Sequence, residues 1–252
     1  MSKYTFELKK KVVLEYLNGS IGYIPLAKKY DIKIMVDVIC NHMGHNGIDP
    51  FTPSEKVEKR LLNDPDFWKE PRQILDFDDR FEVTNYCIGL PGLNTANHEL
   101  QKIMIDFLRS VIDCGVDGLR FDAARHTALP SEGNDFWPNI TNNLREYKEN
   151  LIICGEVIFE PNKNILKEYC KYIDLVTDNR KIDPDKLICF CESHDTFLSE
   201  DIDERERTRK YSSSEIAKKY VKLNKNYPNS IFFIRPDDNI WRSDMIRKAL
   251  SV

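Results

Sequence analysis

The sequence predicts an α/β fold in which parallel strands alternate with covering helices. From residue 99 onward, short apolar runs rich in β-branched residues alternate with segments whose apolar residues recur at helical spacing. Three of these runs are closed by an acidic residue, namely Asp122, Glu156 and Asp195. Because the functional side chains of a (β/α)8 barrel lie at the carboxyl ends of its strands, this pattern is typical of such a barrel.

The composition of the 252-residue chain is that of a soluble globular protein, with 41% hydrophobic and 31% charged residues. A net charge of -4 provides no basic surface for nucleic acid or for an acidic membrane. No apolar stretch approaches the ~20 residues of a membrane span, and the polar, lysine-rich N-terminus lacks the apolar core of a signal peptide. We therefore expect no nucleic-acid partner, no membrane association and a cytoplasmic location.

The seven cysteines are odd in number and lie mostly within apolar runs. Cys189 and Cys191 are two residues apart on a predicted strand, a spacing that suits neither a disulfide nor a zinc site. We predict that all seven are reduced and buried, which supports the cytoplasmic location.

The first predicted strand covers residues 31–40, which are mostly apolar and β-branched. Residues 43–97 are polar and rich in Pro, Asp and Asn, and are predicted to form an irregular insert. An amphipathic helix is predicted at residues 99–114. The later strands are predicted at residues 116–121, 151–155, 173–176, 187–191 and 230–234, and the later helices at residues 135–150, 163–169, 214–226 and 243–250.

About six strands are predicted, whereas a closed barrel of this type has eight. The segment between residues 176 and 187 is also too short to hold a helix between two strands. An open parallel sheet exposes unpaired strand edges and apolar surface. We therefore expect an incomplete barrel that can self-associate through its open sheet edges.

The first thirty residues have a different pattern. Apolar residues recur at helical spacing beside lysines in residues 6–17, a turn follows at residues 18–20, and a second helix can start at residues 25–30. This segment resembles the start of the helix-turn-helix in insertion-sequence transposases. We therefore divide the chain into a helical N-terminal segment, residues 1–30, and a barrel-type domain, residues 31–252.

Four short motifs accompany the predicted strand ends, in a fixed order. They are residues 37–42 (DVICNH), 118–126 (GLRFDAARH), 155–157 (GEV) and 192–195 (ESHD), with Phe-Trp-Pro-Asn at residues 136–139 between the second and the third. Together they resemble the four signatures of the α-amylase family of glycoside hydrolases. Four matches in the family's order carry far more weight than any one of them.

The resemblance implies retaining hydrolysis of internal α-1,4 bonds in starch, glycogen or maltooligosaccharides. In such enzymes two carboxylates flank the bond, one as nucleophile and one as acid/base. The resemblance assigns Asp122 as the nucleophile, Glu156 as the general acid/base and Asp195 as the transition-state stabiliser. It also implies substrate contacts by His42, Arg120, Arg125, His126 and His194, with Arg125 at a position where lysine is commoner.

Other interpretations of the same residues stay open. Taken alone, Asp122 and Asp195 could be strand-end residues that cap the following helices. An incomplete barrel is also compatible with an inactive remnant of a rearranged amylase. The N-terminal helices would further allow a fusion that binds DNA.

Members of the α-amylase family bind Ca²⁺ between the barrel and the insert, through the oxygen ligands that this cation requires. The resemblance places Asn41, Thr84 and the backbone carbonyl of His126 at three of the ligand positions. The family's Leu-Pro-Asp-Leu-Asn motif supplies a carboxylate, but residues 90–94 read LPGLN, with Gly92 in place of the aspartate. Because this anionic ligand is absent, we expect only a weak calcium site.

Overall fold

A computed structural model describes residues 6–19, 21–177, 181–195, 202–203, 208–209, 211–233, 235, 240 and 243–250. These residues belong to two compact units, a central unit (Lys33–Asn179) and a terminal unit (Met1–Ile32 with Arg180–Val252). The helices are α1 (Phe6–Leu17), α2 (Tyr23–Tyr30), α3 (Lys59–Leu62), α4 (Arg80–Asn85), α5 (His98–Asp113), α6 (Phe136–Tyr147), α7 (Lys163–Tyr172), α8 (Ser213–Asn224) and α9 (Asp244–Leu250). The strands are β1 (Met35–Ile39), β2 (Gly118–Asp122), β3 (Ile152–Gly155), β4 (Leu175–Thr177), β5 (Leu187–Phe190), β6 (Ile202–Asp203), β7 (Thr208–Arg209) and β8 (Ser230–Ile231).

The central unit contains four parallel strands in the order β1-β2-β3-β4. The register pairs Asp37 with Arg120 and Ile39 with Asp122, so the ends of β1 and β2 lie side by side. The terminal unit adds the parallel pair β5 and β8 and a short antiparallel pair, β6 and β7. The expected six barrel-type strands are therefore confirmed, four in one unit and two in the other.

The core of the central unit is built on one face of its sheet. Leu119 and Phe121 of β2 are almost fully buried on this face. Trp137 of α6 lies with its ring centroid 5.4 Å from Phe121 and 5.7 Å from Tyr169 of α7. Helix α5 begins where predicted because the side chain of Asn97 accepts hydrogen bonds from the first free N–H groups of the helix.

The opposite face of β1 is open to solvent. Met35 and Ile39 are 41% and 46% exposed, while Val38 on the other face is buried. The predicted strand is therefore confirmed at Met35–Ile39, but only one of its faces is buried. Among the described residues of the central unit β1 pairs only with β2, so no further strand covers the face that a closed barrel would bury.

The insert at residues 43–97 is irregular, as predicted, but it also contains the short helices α3 and α4. Isolated bridges join His42 to Gly92 and Trp68 to Leu93. The indole N–H of Trp68 donates to the carbonyl of Leu61. The bridge from His42 to Gly92 attaches the insert to the end of β1, and the contacts of Trp68 lie within the insert.

The N-terminal segment of the terminal unit folds into the two predicted helices. Lys29 of α2 binds Glu15 of α1 at 2.9 Å, and the hydroxyl of Tyr30 donates to the same carboxylate at 2.6 Å. The rings of Tyr16 and Tyr23 stack with centroids 4.4 Å apart. The helices are thus confirmed, whereas the transposase resemblance stays a prediction.

All seven cysteines are free in the structure. Cys40, Cys87, Cys154 and Cys189 are buried, but Cys114 at the end of α5 is exposed. The prediction that every cysteine is buried is therefore wrong for Cys114. Among the described helices, none combines the length and apolar character needed to cross a bilayer.

Candidate active site

One arginine connects the acidic residues at the strand ends of the central unit. The Nη1 atom of Arg120 donates to both carboxylate oxygens of Asp37, at 2.9 and 2.8 Å, and to Oδ1 of Asp122 at 2.5 Å. Its Nη2 atom lies 3.0 Å from Oε1 of Glu156. One guanidinium therefore contacts three carboxylates, that of Asp37 in the middle of β1 and those of Asp122 and Glu156 at the ends of β2 and β3.

The chain geometry places these groups together. Arg120 and Asp122 are two residues apart on β2, so both side chains lie on the same face of the sheet. The backbone N–H of Glu156 donates to the carbonyl of Phe121, which continues the strand pairing just beyond β3. Ala123 takes the left-handed conformation, with φ at 48°, and its N–H donates to Oε2 of Glu156 at 2.9 Å.

The electrostatics of this group are dominated by negative charge. Burial of Arg120 opposes its charge, but the bond to Asp37 and the nearby carboxylates of Glu156 and Asp122 raise the pKa of the guanidinium above its usual value. One positive charge thus faces three carboxylates.

His42 lies beside Asp122 at the end of β1. Its Nε2 atom is 3.8 Å from Oδ2 of Asp122, and the residue is only 8% exposed. Burial lowers the pKa of His42, although the carboxylate of Asp122 acts in the opposite direction. Among the residues that the structure describes, no partner bonds its buried Nδ1 atom. A neutral His42 could donate one N–H to a ligand placed next to Asp122.

Arg125 is placed differently from the prediction. It is 6% exposed, and its guanidinium donates to Glu160 at 3.2 Å and to the carbonyl of Phe77 at 2.5 Å. This burial argues against the substrate contact that the resemblance implied. Glu160 carries no motif signal in the sequence, so its role in holding Arg125 could not be predicted.

His126 is half-buried, and its Nδ1 atom lies 3.2 Å from the carbonyl of Val83 in the insert. Burial, assisted by the positive charge of Lys69, lowers the pKa of His126 to about 3. The imidazole is therefore neutral under ordinary conditions. It packs edge-on against the ring of Phe77, with centroids 6.2 Å apart.

Two of the three groups expected to hold calcium, Asn41 and the carbonyl of His126, bind Lys69. The amino group of Lys69 donates to Oδ1 of Asn41 at 3.1 Å and to the backbone carbonyl of His126 at 2.9 Å. Burial lowers the pKa of Lys69 to about 8. The hydroxyl of Thr84 donates instead to the carbonyl of Arg80, one turn earlier in α4.

His194 and Asp195 follow β5 in the terminal unit. Their side chains are exposed, and Nε2 of His194 lies 3.4 Å from Oδ2 of Asp195. The preceding Glu192 is buried and binds Arg235 through both carboxylate oxygens, at 2.5 and 2.7 Å. The roles of Asp195 and His194 stay predictions.

Parallel strands with covering helices, and two carboxylates at adjacent strand ends, define a barrel-type site suited to glycosidic bonds. Residues 23–177 match the family model described as the catalytic domain of alpha amylase. The chain therefore belongs to the alpha-amylase catalytic-domain family. The first three motifs lie within the matched residues, whereas the match of residues 192–195 to the fourth signature stays a prediction.

The chain is 36% identical over 156 residues to an alpha-amylase of Clostridium acetobutylicum, a match that covers 59% of this chain and 20% of that protein. An alpha-amylase of Butyrivibrio fibrisolvens is 30% identical over 173 residues, with 59% and 17% covered. The crystal structure of an alpha-amylase from Geobacillus thermoleovorans complexed with acarbose aligns with a TM-score of 0.50 at 25% identity. That alignment covers 62% of this chain and 32% of the solved one. The chain thus spans a third or less of the length of these relatives.

Proposed function

We propose that the central unit supplies the nucleophile and the acid/base of a retaining hydrolase for α-1,4-linked glucans such as starch, glycogen or maltooligosaccharides. The observation that supports this most directly is the shared guanidinium of Arg120, which binds Asp122 and Glu156 from neighbouring strands. Double displacement needs two carboxyl groups at one bond. Membership of the alpha-amylase family favours a glucan as the substrate.

In the first step, an oxygen of Asp122 attacks the anomeric carbon and the bond from that carbon to the leaving sugar breaks. Glu156 gives its proton to the departing oxygen. In the second step, water attacks the anomeric carbon, returns a proton to Glu156 and releases Asp122. Arg120 donates to Oδ1 of Asp122 and so orients the carboxylate for the attack.

The first step requires that Glu156 carries the proton that it gives to the leaving sugar. Nη1 of Arg120 contacts both Asp37 and Asp122, Nη2 contacts Oε1 of Glu156, and Oε2 of Glu156 accepts from the N–H of Ala123. We assign the role of acid/base to Glu156 and that of nucleophile to Asp122. The roles of Asp195 and His194 as transition-state stabilisers stay predictions of the family resemblance.

The decisive variant is Asp122→Asn, which removes the attacking charge while keeping the shape of the side chain. We expect hydrolysis of a chromogenic maltooligosaccharide to fall to background, with an unchanged circular dichroism spectrum. Asp106→Asn, an exposed change on α5, is the matched control and should keep full activity. Acarbose, present in the solved relative, should inhibit the unaltered chain.

The stereochemistry provides a second measurement. NMR of the first product should show the α-anomer, and a crystal structure should place the two carboxyl groups ~5–5.5 Å apart. An active Asp122→Asn variant, a β-anomer, or a folded chain without any hydrolysis would each contradict the proposal.

A further inference from the structure

The position expected for calcium holds a lysine side chain. Nζ of Lys69 donates to the two oxygens that the family resemblance assigns to the metal, Oδ1 of Asn41 and the carbonyl of His126. Ca²⁺ would need to lie ~2.3–2.6 Å from these same oxygens. A divalent cation and an ammonium group cannot share that space, because both their volumes and their charges conflict.

Gly92 and Lys69 fit each other. The N–H of Lys69 donates to the carbonyl of Gly92 at 2.8 Å, so the two backbones are fixed side by side. A Cβ atom at Gly92 would lie 2.8 Å from Cδ and 3.3 Å from Cβ of Lys69. The stem of Lys69 therefore fills the space into which the aspartate of the family motif would extend. An aspartate at position 92 and the observed side chain of Lys69 could therefore not occupy this space at the same time.

The remaining donors do not suit calcium either. The hydroxyl of Thr84 donates to the carbonyl of Arg80 at 2.8 Å and accepts from Nδ2 of Asn85 at 3.1 Å. Within the described residues there is no group of three or more His, Cys, Asp or Glu side chains that could hold a metal ion. The residues present do not fit a bound Ca²⁺.

We propose that Lys69 is a built-in cation that replaces calcium in this chain. Its ammonium group joins the insert to the end of β1 through Asn41 and to the turn after β2 through His126. These attachments are one residue from His42 and four residues from Asp122 in the sequence. Lys69 is therefore a positioning residue, and the central unit folds and keeps its stability without metal. This inference rests on family membership and geometry, and it holds whether or not the chain hydrolyses glucans.

The first test uses the unaltered full chain. Its melting temperature should be the same in millimolar CaCl₂ and in millimolar EDTA, and calorimetric titration with CaCl₂ should show no saturable binding. A rise in melting temperature that calcium produces and EDTA reverses would overturn the proposal.

A pair of variants then distinguishes the contribution of the ammonium group of Lys69 to stability from that of the packing of its stem. Lys69→Met keeps the stem but removes the charge, and should lower the melting temperature by several degrees in either buffer. Lys59→Met, at an exposed lysine of the same insert, is the matched control and should melt like the unaltered chain. Equal melting of the two variants would contradict the role of Lys69.

The double variant Lys69→Ala, Gly92→Asp should restore the metal site. We expect it to bind calcium at least ~100-fold more tightly than the unaltered chain and to gain a calcium-dependent rise in melting temperature. Gly92→Asp alone should gain neither, because the ammonium of Lys69 is still in place. Calcium binding by that single variant, or none by the double variant, would refute the exchange of lysine for metal. If Lys69→Met fails to fold, these titrations still decide the question.

Discussion

Gly155 at the end of β3 fixes the distance between two strand ends and so the position of Glu156. A Cβ atom there would lie 2.6 Å from Cδ1 of Ile173 and 3.1 Å from Cβ of Ala124. Gly155 also pairs with Phe121 on β2 and with Val176 on β4, so the backbone cannot shift without disturbing both neighbours. The packing around β3 therefore requires a glycine at position 155, whether or not catalysis also does.

This packing predicts that Gly155→Ala destabilises the chain by about 1–3 kcal/mol, as overpacking does in other cores. Hydrolysis should fall as well, because Glu156 follows directly. Urea unfolding measures the first effect. Gly44→Ala is the control, since a Cβ there meets nothing within 4 Å. Ile173→Val removes the nearest atom and should recover part of the loss in the double variant. Equal stability of the Gly155 and Gly44 variants would contradict the packing argument.

The site shows what local sequence can predict. Asp122 and Glu156 could be predicted as site residues because each ends an apolar run within a motif. Both signals lie within a few consecutive residues. The binding of Asp37 by Arg120 depends on the pairing of strands that are 83 residues apart, and so it had no local signal. Lys69 was missed for the same reason, since its partners lie in two other segments.

At the scale of elements, the insert is attached to the sheet through α4. Arg80 of this helix donates to both carboxylate oxygens of Glu132, at 2.8 and 2.7 Å, and to the carbonyl of Arg125 at 2.7 Å. The side chains of Arg80 and Glu132 are only 17% and 18% exposed. Such a shielded bidentate pair connects the insert to the segment that follows β2.

Arg80→Met should therefore cost about 3 kcal/mol of unfolding free energy, because it leaves a shielded carboxylate without its main cation. Chemical denaturation would measure this value, and limited proteolysis should show earlier cleavage within residues 43–97. Arg60→Met is the control, since Arg60 pairs with Glu58 on the exposed surface of the same insert. A loss no larger than that of the Arg60 variant would show that the insert is held by other contacts.

The elements themselves were largely predictable. Helix α5 was expected at residues 99–114 and lies at His98–Asp113, because its apolar period and its cap at Asn97 agree. The exposed face of β1 was not predictable. An apolar run looks the same whether one face or both faces are covered, and only the neighbouring strands decide which.

At the scale of the whole molecule, the open face of β1 has a functional consequence. Met35, Asp37 and Ile39 lie on this face, and their partners on β2 are Gly118, Arg120 and Asp122, respectively. The exposed apolar residues therefore border the candidate active site directly. A second copy of the chain that covered Met35 and Ile39 would also obstruct access to Asp122.

We therefore predict that the protein self-associates and that its specific activity falls as its concentration rises. Light scattering combined with reducing-sugar release, over a range of concentrations, would measure both effects. Met35→Lys with Ile39→Lys should shift the association to higher concentration, because charge on an open strand opposes pairing. Phe107→Lys, at a residue of α5 that is 49% exposed, is the control and should leave association unchanged. A monodisperse monomer with constant specific activity would show that the open face of β1 is not an association surface.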